Sequence, residues 1–207
     1  MKKKIAILGS TGSIGTTSLN IIKKKKNLFN VELLSANKNY KSICQQIIRF
    51  KPKYFVVTNN NIFLKLKKKF KNKKTKVLNN YKDIPFSKKK IDITISSIPG
   101  IAGLEPTINF TKRSKKILIA NKESIICGWQ IINKLGKKYK TKIIPIDSEH
   151  FSIMKLLENH KENEIEKIYI TASGGPFLNY KFNKLKYVTP KEAINHPNWS
   201  MGKKISI

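Results

Sequence analysis

Ile5-Ala6-Ile7-Leu8-Gly9-Ser10-Thr11-Gly12-Ser13-Ile14-Gly15 decides the fold of this chain. Four apolar residues give way at once to three glycines at G-x-x-G-x-x-G spacing, and a helical pattern opens behind them. That is a strand, a tight turn and a helix whose free backbone N–H groups face the turn, the setting in which a pyrophosphate is held. The spacing is a relative of the usual dinucleotide fingerprint, and an ordinary glycine-rich strand-to-helix turn is the plainer alternative.

Outward from this stretch, short apolar runs at 5–8, 31–34, 54–57, 91–95, 117–120 and 143–146 alternate with helical patterns. Such alternation predicts an α/β fold, a Rossmann-like doubly wound parallel sheet. In the segment 40–50, Ile43, Ile47 and Phe50 share one helical face, with Cys44 and Ile48 at its edge. After Glu149 the pattern changes to a helix through about Glu158, a polar stretch, a strand at 167–171, a Gly-rich turn and a Pro-rich loop. A further strand is expected from Lys204. The reading places a boundary near residue 148, with a nucleotide-binding domain over 1–147 and the unfinished beginning of a smaller α+β domain over 148–207.

The 207 residues, 40% of them apolar, can bury a real core. A net charge of +31 raises nucleic acid or an anionic membrane as partner. Of the 43 basic residues, however, only Arg49 and Arg113 are arginine, and Asn and Ile are abundant. Arginine is the preferred bidentate reader of phosphates and guanines, so a chain shaped for nucleic acid is expected to keep it. A genome drifting toward A and T converts Arg to Lys, and no nucleic-acid partner is expected. The runs at 23–26, 67–69 and 88–90 fall at helix ends or in loops, where ammonium groups stay hydrated. Cys44 and Cys127 lack C-x-x-C spacing, sit in apolar segments and are expected as small core residues of a reduced compartment. Met1-Lys-Lys-Lys precedes too short an apolar run for a signal peptide, and no run approaches a membrane span. A cytoplasmic protein is expected.

Candidate site residues cluster behind the strands. Ser35-Ala-Asn37-Lys38-Asn39 follows the second strand without the acid that would bind the ribose 2′-OH of NADH, whereas Lys38 and Asn39 suit a 2′-phosphate, so NADPH is favoured. Ala120-Asn121-Lys122-Glu123-Ser124 follows the fifth. Lys122 can supply positive charge to a substrate oxygen and Asn121 an amide to a nicotinamide ribose or ring; the alternative is an Asn helix cap with Glu123 in the first turn. Asp147-Ser148-Glu149 sets two of the twelve acids at a strand end. In an extended continuation they point the same way and can share a hard cation, Mg²⁺ or Mn²⁺, unless Asp147 merely caps a helix beginning near Ser148. Thr171-Ala-Ser173-Gly174-Gly175-Pro176 offers a hydroxyl and backbone amides for a phosphate, or simply a tight turn. His196-Pro-Asn-Trp199-Ser-Met201-Gly202 suits a lid over a site, with packing as the alternative.

Taken in order, G-S-T-G-S-I-G, A-N-K-E-S, D-S-E-H, S-G-G-P-F and H-P-N-W-S-M-G closely resemble the 1-deoxy-D-xylulose 5-phosphate reductoisomerase family, over about the first half of that family's usual length. The resemblance implies an NADPH- and divalent-metal-dependent rearrangement and reduction of a sugar phosphate in isoprenoid precursor synthesis, in an enzyme usually homodimeric at full length. It implies that Thr11, Gly12, Ser13 and Ile14 hold the pyrophosphate, that Asn37 (where the family usually has Gly), Lys38 and Asn39 lie at the 2′-phosphate end, and that Asn121, Glu123 and Gly202 touch further parts of the cofactor. Asp147 and Glu149 are implied as metal ligands. Lys122, Ser148, Glu149, Ser173 and His196 are implied at the substrate, with Lys122, Glu149 and His196 taking part in catalysis and Trp199 and Met201 in a closing loop. The third carboxylate ligand and the rest of the family's phosphate pocket fall beyond Ile207, so this chain alone is expected to bind NADPH and turn over poorly. The competing readings are another NADP-dependent Rossmann oxidoreductase needing no metal, indifferent to chelator, and a basic nucleic-acid-binding module whose affinity falls steeply with salt.

Overall fold

The structure, a computed structural model, describes residues 1–85, 89–171 and 174–197. It divides into two compact units, Met1–Glu158 and Asn159–Ile207.

In the first unit β1 (Lys3–Leu8), α1 (Ser13–Lys24), β2 (Phe29–Ala36), α2 (Tyr40–Phe50), β3 (Tyr54–Val57), α3 (Asn60–Lys69) and β4 (Lys76–Leu78) run outward to one edge of a sheet. The chain then returns to the other side of β1 and continues through β5 (Ile91–Ser96), α4 (Leu104–Thr111), β6 (Ser114–Ile119), α5 (Lys122–Lys138) and β7 (Lys142–Pro145). The sheet order is β4-β3-β2-β1-β5-β6-β7 and every pairing is parallel. Parallel strands put all their carboxyl ends on one edge, and the order reverses between β1 and β5, the place where doubly wound sheets open a crevice for ligands. α6 (Ser148–Leu157) follows β7 and belongs to the same unit.

Strand periodicity of two divides the core between the faces. Ile5, Ile7, Phe55 and Val57 pack with Leu19 and Ile22 of α1, Ile43 and Ile47 of α2 and Leu66 of α3. Ala6, Leu8, Tyr54 and Val56 face the opposite way, toward Phe110 of α4, Ile132 of α5, and Tyr81 and Ile84 of the β4–β5 connection. Tyr81 stands edge-to-face against Phe110, with ring centroids 6.0 Å apart. Lys23, Lys24 and Lys67–Lys69 lie in last helical turns, where the carbonyl end of the helix dipole favours cations.

One strand was not foreseen and two expectations fail. The strand β4 escapes the sequence pattern because it is only Lys-Val-Leu, partly buried and flanked by polar residues. Residues 167–171 form no strand: Ile168, Tyr169 and Ile170 are exposed, and among the described residues no neighbour supplies the ladder bonds a strand requires. Cys44 is buried as expected, but Cys127 is exposed. The inward stripe of α5 is Ser124, Gly128, Ile132 and Gly136, in which the two glycines let the helix close on Leu104 and Ile143, and Cys127 lies off that stripe. The expected strand from Lys204 lies outside the described residues.

The second unit contains 3₁₀ turns at Glu162–Glu164 and Phe182–Tyr187 and the short helix α7 (Pro190–Ala193). Thr189 caps α7, its hydroxyl accepting from the Glu192 N–H while the Glu192 carboxylate accepts from the Thr189 N–H.

Phe110→Ala leaves a cavity under both β5–β6 and Tyr81. It is expected to lower unfolding free energy by about 3–5 kcal/mol, read as a lower urea midpoint with an unchanged slope.

Candidate active site at the carboxyl edge of the sheet

The glycine loop reverses the chain within a few residues. Gly9 has φ +84°, a left-handed conformation, and a Cβ there would stand 2.8 Å from the Ser97 carbonyl oxygen at the end of β5. Gly15 lies against the loop itself, where a Cβ would stand 2.6 Å from Ser10 Cα and collide with the Gly9 carbonyl oxygen. The loop is thus pressed between the switch-point strand and its own helix. α1 has Gly12 as N-cap and no side chain capping it, whereas α2, α3, α5 and α6 are capped by Asn39, Asn59, Asn121 and Asp147. The first N–H groups of α1, at Ser13, Ile14 and Gly15, have no intrahelical acceptor and face the loop, a ready anion site. Gly12, Ser13 and Ile14 are exposed and Thr11 is partly so.

Asn37, Lys38 and Asn39 are exposed at the end of β2, next to this loop. On the other side, the Asn121 amide is buried: Nδ2 donates to the carbonyl oxygens of Ile98 and Gly100, the latter at 2.8 Å, and Oδ1 accepts from the Ser124 N–H at 2.6 Å. The capping role weighed from the sequence is therefore real, and it ties the loop after β5 to the start of α5. Lys122 and Glu123 occupy the first turn of α5.

Asp147 is likewise a cap, its Oδ1 accepting from the His150 N–H at 3.1 Å and pairing with His150 Nδ1 at 2.7 Å. α6 begins at Ser148, so Glu149 is helical rather than an extended continuation of β7. The two carboxylates converge all the same. Lys122 Nζ donates to Glu149 Oε2 at 2.9 Å and stands 4.0 Å from Asp147 Oδ1, so one cation already bridges both acids.

The hydrogen bond from Lys122 holds the Glu149 carboxyl below its usual range, helped by a backbone N–H, and the same bond raises the Lys122 ammonium. Burial pushes Asp147 up, but the ring and backbone bonds from His150, with the charges of His150 and Lys122, outweigh it and leave it lowered. Lowered carboxyls make their stabilising contribution above their unfolded pKa values and lose it as pH falls through the folded ones. A raised ammonium makes its contribution below its unfolded value and loses it as pH rises through the folded one. Lys122, Asp147 and Glu149 are accordingly all charged across the neutral range.

Asn37–Asn39, the glycine loop, Ser97, Lys122 and Asp147 thus form a row behind β2, β1, β5, β6 and β7. With neighbouring strands about 4.8 Å apart, that row spans about 19 Å. Among the described residues no group of three or more His, Cys, Asp or Glu is placed to hold a metal. Ser148 is exposed in the first turn of α6. His196 is partly buried in the second unit, while Ser173, Trp199, Met201 and Gly202 lie outside the described residues. Sequence reasoning missed Gln46, Tyr81 and His150, whose contacts within the site cross between elements or turn on a helix cap.

The model of the 1-deoxy-D-xylulose 5-phosphate reductoisomerase family matches residues 5–128, and that of the family's C-terminal domain matches residues 143–207. The chain belongs to the 1-deoxy-D-xylulose 5-phosphate reductoisomerase family. A reductoisomerase of Pelagibacter ubique is 53% identical over 99% of this chain and 54% of its own length. One from Buchnera aphidicola of Schizaphis graminum is 46% identical, over 99% and 55%. The chain spans about half the length of the curated relatives it matches. Among solved structures, a reductoisomerase in complex with NADPH, fosmidomycin and magnesium superposes with a TM-score of 0.85 at 32% identity, over 99% of this chain and 53% of that one. The Zymomonas mobilis reductoisomerase with NADPH gives 0.86 at 28%, over 95% and 52%. The parallel sheet with flanking helices is thus the family's fold.

Lys122→Met removes the cation shared by the acids. The Glu149 carboxyl is expected to rise toward the ordinary value of about 4.3 in a ¹³C-detected NMR titration, with Asp147, still held by His150, moving less. An unmoved Glu149 would mean that the ion pair does not form in solution.

Proposed function

We propose that this chain forms the cofactor- and metal-binding part of an NADPH- and divalent-metal-dependent reductoisomerase, converting 1-deoxy-D-xylulose 5-phosphate into 2-C-methyl-D-erythritol 4-phosphate for isoprenoid precursor synthesis. The observation that carries this reading is the row of groups along the carboxyl edge, in which phosphate-binding features and the acid pair occupy successive strand ends. A dinucleotide laid along it has its adenosine behind β2, its pyrophosphate on the α1 N-terminus behind β1, and its nicotinamide toward β5 and β6, beside the acids behind β7. Solved relatives of this fold bind NADPH and magnesium.

In this proposal Thr11, Gly12, Ser13 and Ile14 receive the pyrophosphate. Lys38 and Asn39, with Asn37, receive the 2′-phosphate, and the absence of an acid after β2 favours NADPH over NADH. Asn121, Glu123 and Gly202 adjoin the rest of the cofactor. For Asn121 the buried amide acts by shaping the Ile98–Gly100 loop and by presenting Lys122 at the head of α5.

The acids fit a hard divalent cation: Asp147 and Glu149 are oxygen donors, ionised at neutral pH, and the Lys122 ammonium between them shows that one positive centre can face both. Mg²⁺ and Mn²⁺ both suit this donor set. When bound, the metal ion supplies Lewis acidity and NADPH the hydride. Lys122 orients a substrate oxygen by charge, Glu149 and Ser148 hold the substrate beside the cation, and His196 and Ser173 are assigned to substrate binding, Ser173 to the phosphate. His150 fixes the Asp147 carboxylate through Nδ1, as orienting partners of metal ligands do.

A division between nucleotide binding over 1–147 and substrate handling over 148–207 stays part of the proposal, supported by the C-terminal family match beginning at residue 143. So do homodimer formation by the full-length enzyme and a cytoplasmic location, the latter in keeping with free thiols at Cys44 and Cys127. Among the described residues no helix is long and apolar enough to cross a membrane. Membership of the family argues against a metal-independent oxidoreductase or a nucleic-acid-binding module as the source of the charge.

A chimaera joining this chain to the part of the Pelagibacter ubique relative that it does not span provides the test. It is expected to oxidise NADPH with 1-deoxy-D-xylulose 5-phosphate only when Mg²⁺ or Mn²⁺ is present, and Asp147→Asn is expected to slow it by about a hundredfold or more. NADPH binding without metal-dependent turnover would overturn the proposal and leave a nucleotide-binding domain of another oxidoreductase.

A further inference from the structure

Gln46 is the only amide on the buried face of α2, among Ile43, Cys44 and Ile47. A buried amide is costly unless both its polar atoms are satisfied, and here both go to one residue 36 positions away. Ser10 Oγ donates to Gln46 Oε1 at 2.6 Å, and Gln46 Nε2 donates to the Ser10 carbonyl oxygen at 2.9 Å. Ser10 is fully buried, so its side chain points into the protein, away from the exposed residues that follow it in the loop. Its remaining polar group, the backbone N–H, donates to the Ser35 carbonyl oxygen at 2.8 Å. Every polar group of Ser10 therefore serves to hold the loop.

The same helix starts at the other end of the proposed cofactor site. Asn39 is the N-cap of α2, accepting from the Ser42 N–H at 3.0 Å, and Lys38 precedes it. From Asn39 to Gln46 is about 10 Å of rigid helix. A doubly phosphorylated ligand gains from two anchors only when their spacing is fixed beforehand, because the second contact then forms at high effective concentration. We propose that Gln46 is a positioning residue that sets the distance between the pyrophosphate loop and the 2′-phosphate end, acting through Ser10, and so sharpens the preference for NADPH over NADH. This rests on reading Gly9–Gly15 as the pyrophosphate loop.

The loop has an independent hold that should survive loss of Gln46. Ser35 Oγ accepts from the Gly9 N–H at 3.2 Å and from the Tyr81 hydroxyl at 2.8 Å. Burial pushes the Tyr81 phenol up to about 12, so it is a permanent donor.

The test titrates the 207-residue chain with NADPH and with NADH by fluorescence, in wild type, Gln46→Met, Ser10→Ala and Thr141→Val. Thr141 is the structural control: its buried hydroxyl bonds the Thr111 and Ser114 carbonyl oxygens, and it precedes β7 at the amino ends of the strands, across the sheet from the site. Gln46→Met is expected to weaken NADPH about tenfold and NADH no more than about threefold, and Ser10→Ala, which keeps the bond to the Ser10 carbonyl, to fall between wild type and Gln46→Met. Thr141→Val is expected to lower the melting temperature with the cofactor ratio unchanged. An unchanged ratio in Gln46→Met, with both cofactors weakened equally or neither affected, overturns the positioning role. Should Gln46→Met not fold, the ratio in Ser10→Ala decides in the same way. A wild-type chain that binds neither cofactor would instead overturn the dinucleotide reading, and the role of Gln46 with it.

Discussion

The close approach of Gly15 to Gly9 and Ser10 is the constraint on which the rest of the carboxyl edge depends. With no side chain at residue 15, α1 can start directly beneath the loop, and with none at residue 9 the loop can lie against Ser97. Any bulkier residue at either position would push the helix N-terminus away from the strand-order reversal between β1 and β5. The anion-binding end of α1 would then no longer sit in line with the ends of β2, β6 and β7. Ser10 shows how tightly that geometry is kept, because it is pinned from α2 by Gln46 and from β2 by the Ser35 carbonyl. The loop needs rigid support, since the groups that receive a ligand are backbone N–H groups, which cannot adjust by changing rotamer.

Much of this was legible in the sequence, and the part that was not follows a physical pattern. Six of the seven strands announce themselves as apolar runs, and the segment 40–50 has the bounds of α2 itself, because a buried strand or an amphipathic helix must repeat its apolar residues with its own period. Local chemistry also read well at Asn121 and Asp147, where capping is a matter of three or four consecutive residues. What failed needed knowledge of neighbours. Residues 167–171 carry a short apolar, β-branched and aromatic run like a strand's, yet a strand exists only beside another. Cys127 lies in an apolar helix segment, but which stripe of α5 turns inward is decided by where small residues admit Leu104 and Ile143. Gln46 looks like one polar residue among several in its helix, and only the fold shows that it ends on Ser10.

Asp147 illustrates why the alternatives weighed from sequence need not exclude each other. A carboxylate capping a helix keeps its other oxygen and most of its lone pairs for a further partner. Capping also fixes the backbone of Ser148–His150, so that Glu149 projects from a first helical turn whose position is set by the cap. The convergence of the two acids, expected from an extended segment, is reached here through a helix. It survives because both side chains are drawn to one cation.

Charge enters function through placement rather than amount. A net charge of +31 implies a broadly positive surface, but exposed charges are screened over about 8 Å at physiological ionic strength. Lysines at the ends of α1 and α3 therefore act on their own helix carbonyls and hardly at all on a ligand at the carboxyl edge. Lys38 and Lys122 differ because they stand at strand ends within the row itself. Lys122 differs further in having two acids facing it, so its charge is more than balanced locally and a divalent cation arriving there meets a net negative cluster rather than a positive one. Acids are few in this chain, twelve in all, and two of them are placed where they cancel the background that would otherwise repel a metal. Compositional drift toward lysine can thus proceed over most of the surface without touching the chemistry, provided Asp147 and Glu149 stay where the cap of α6 holds them.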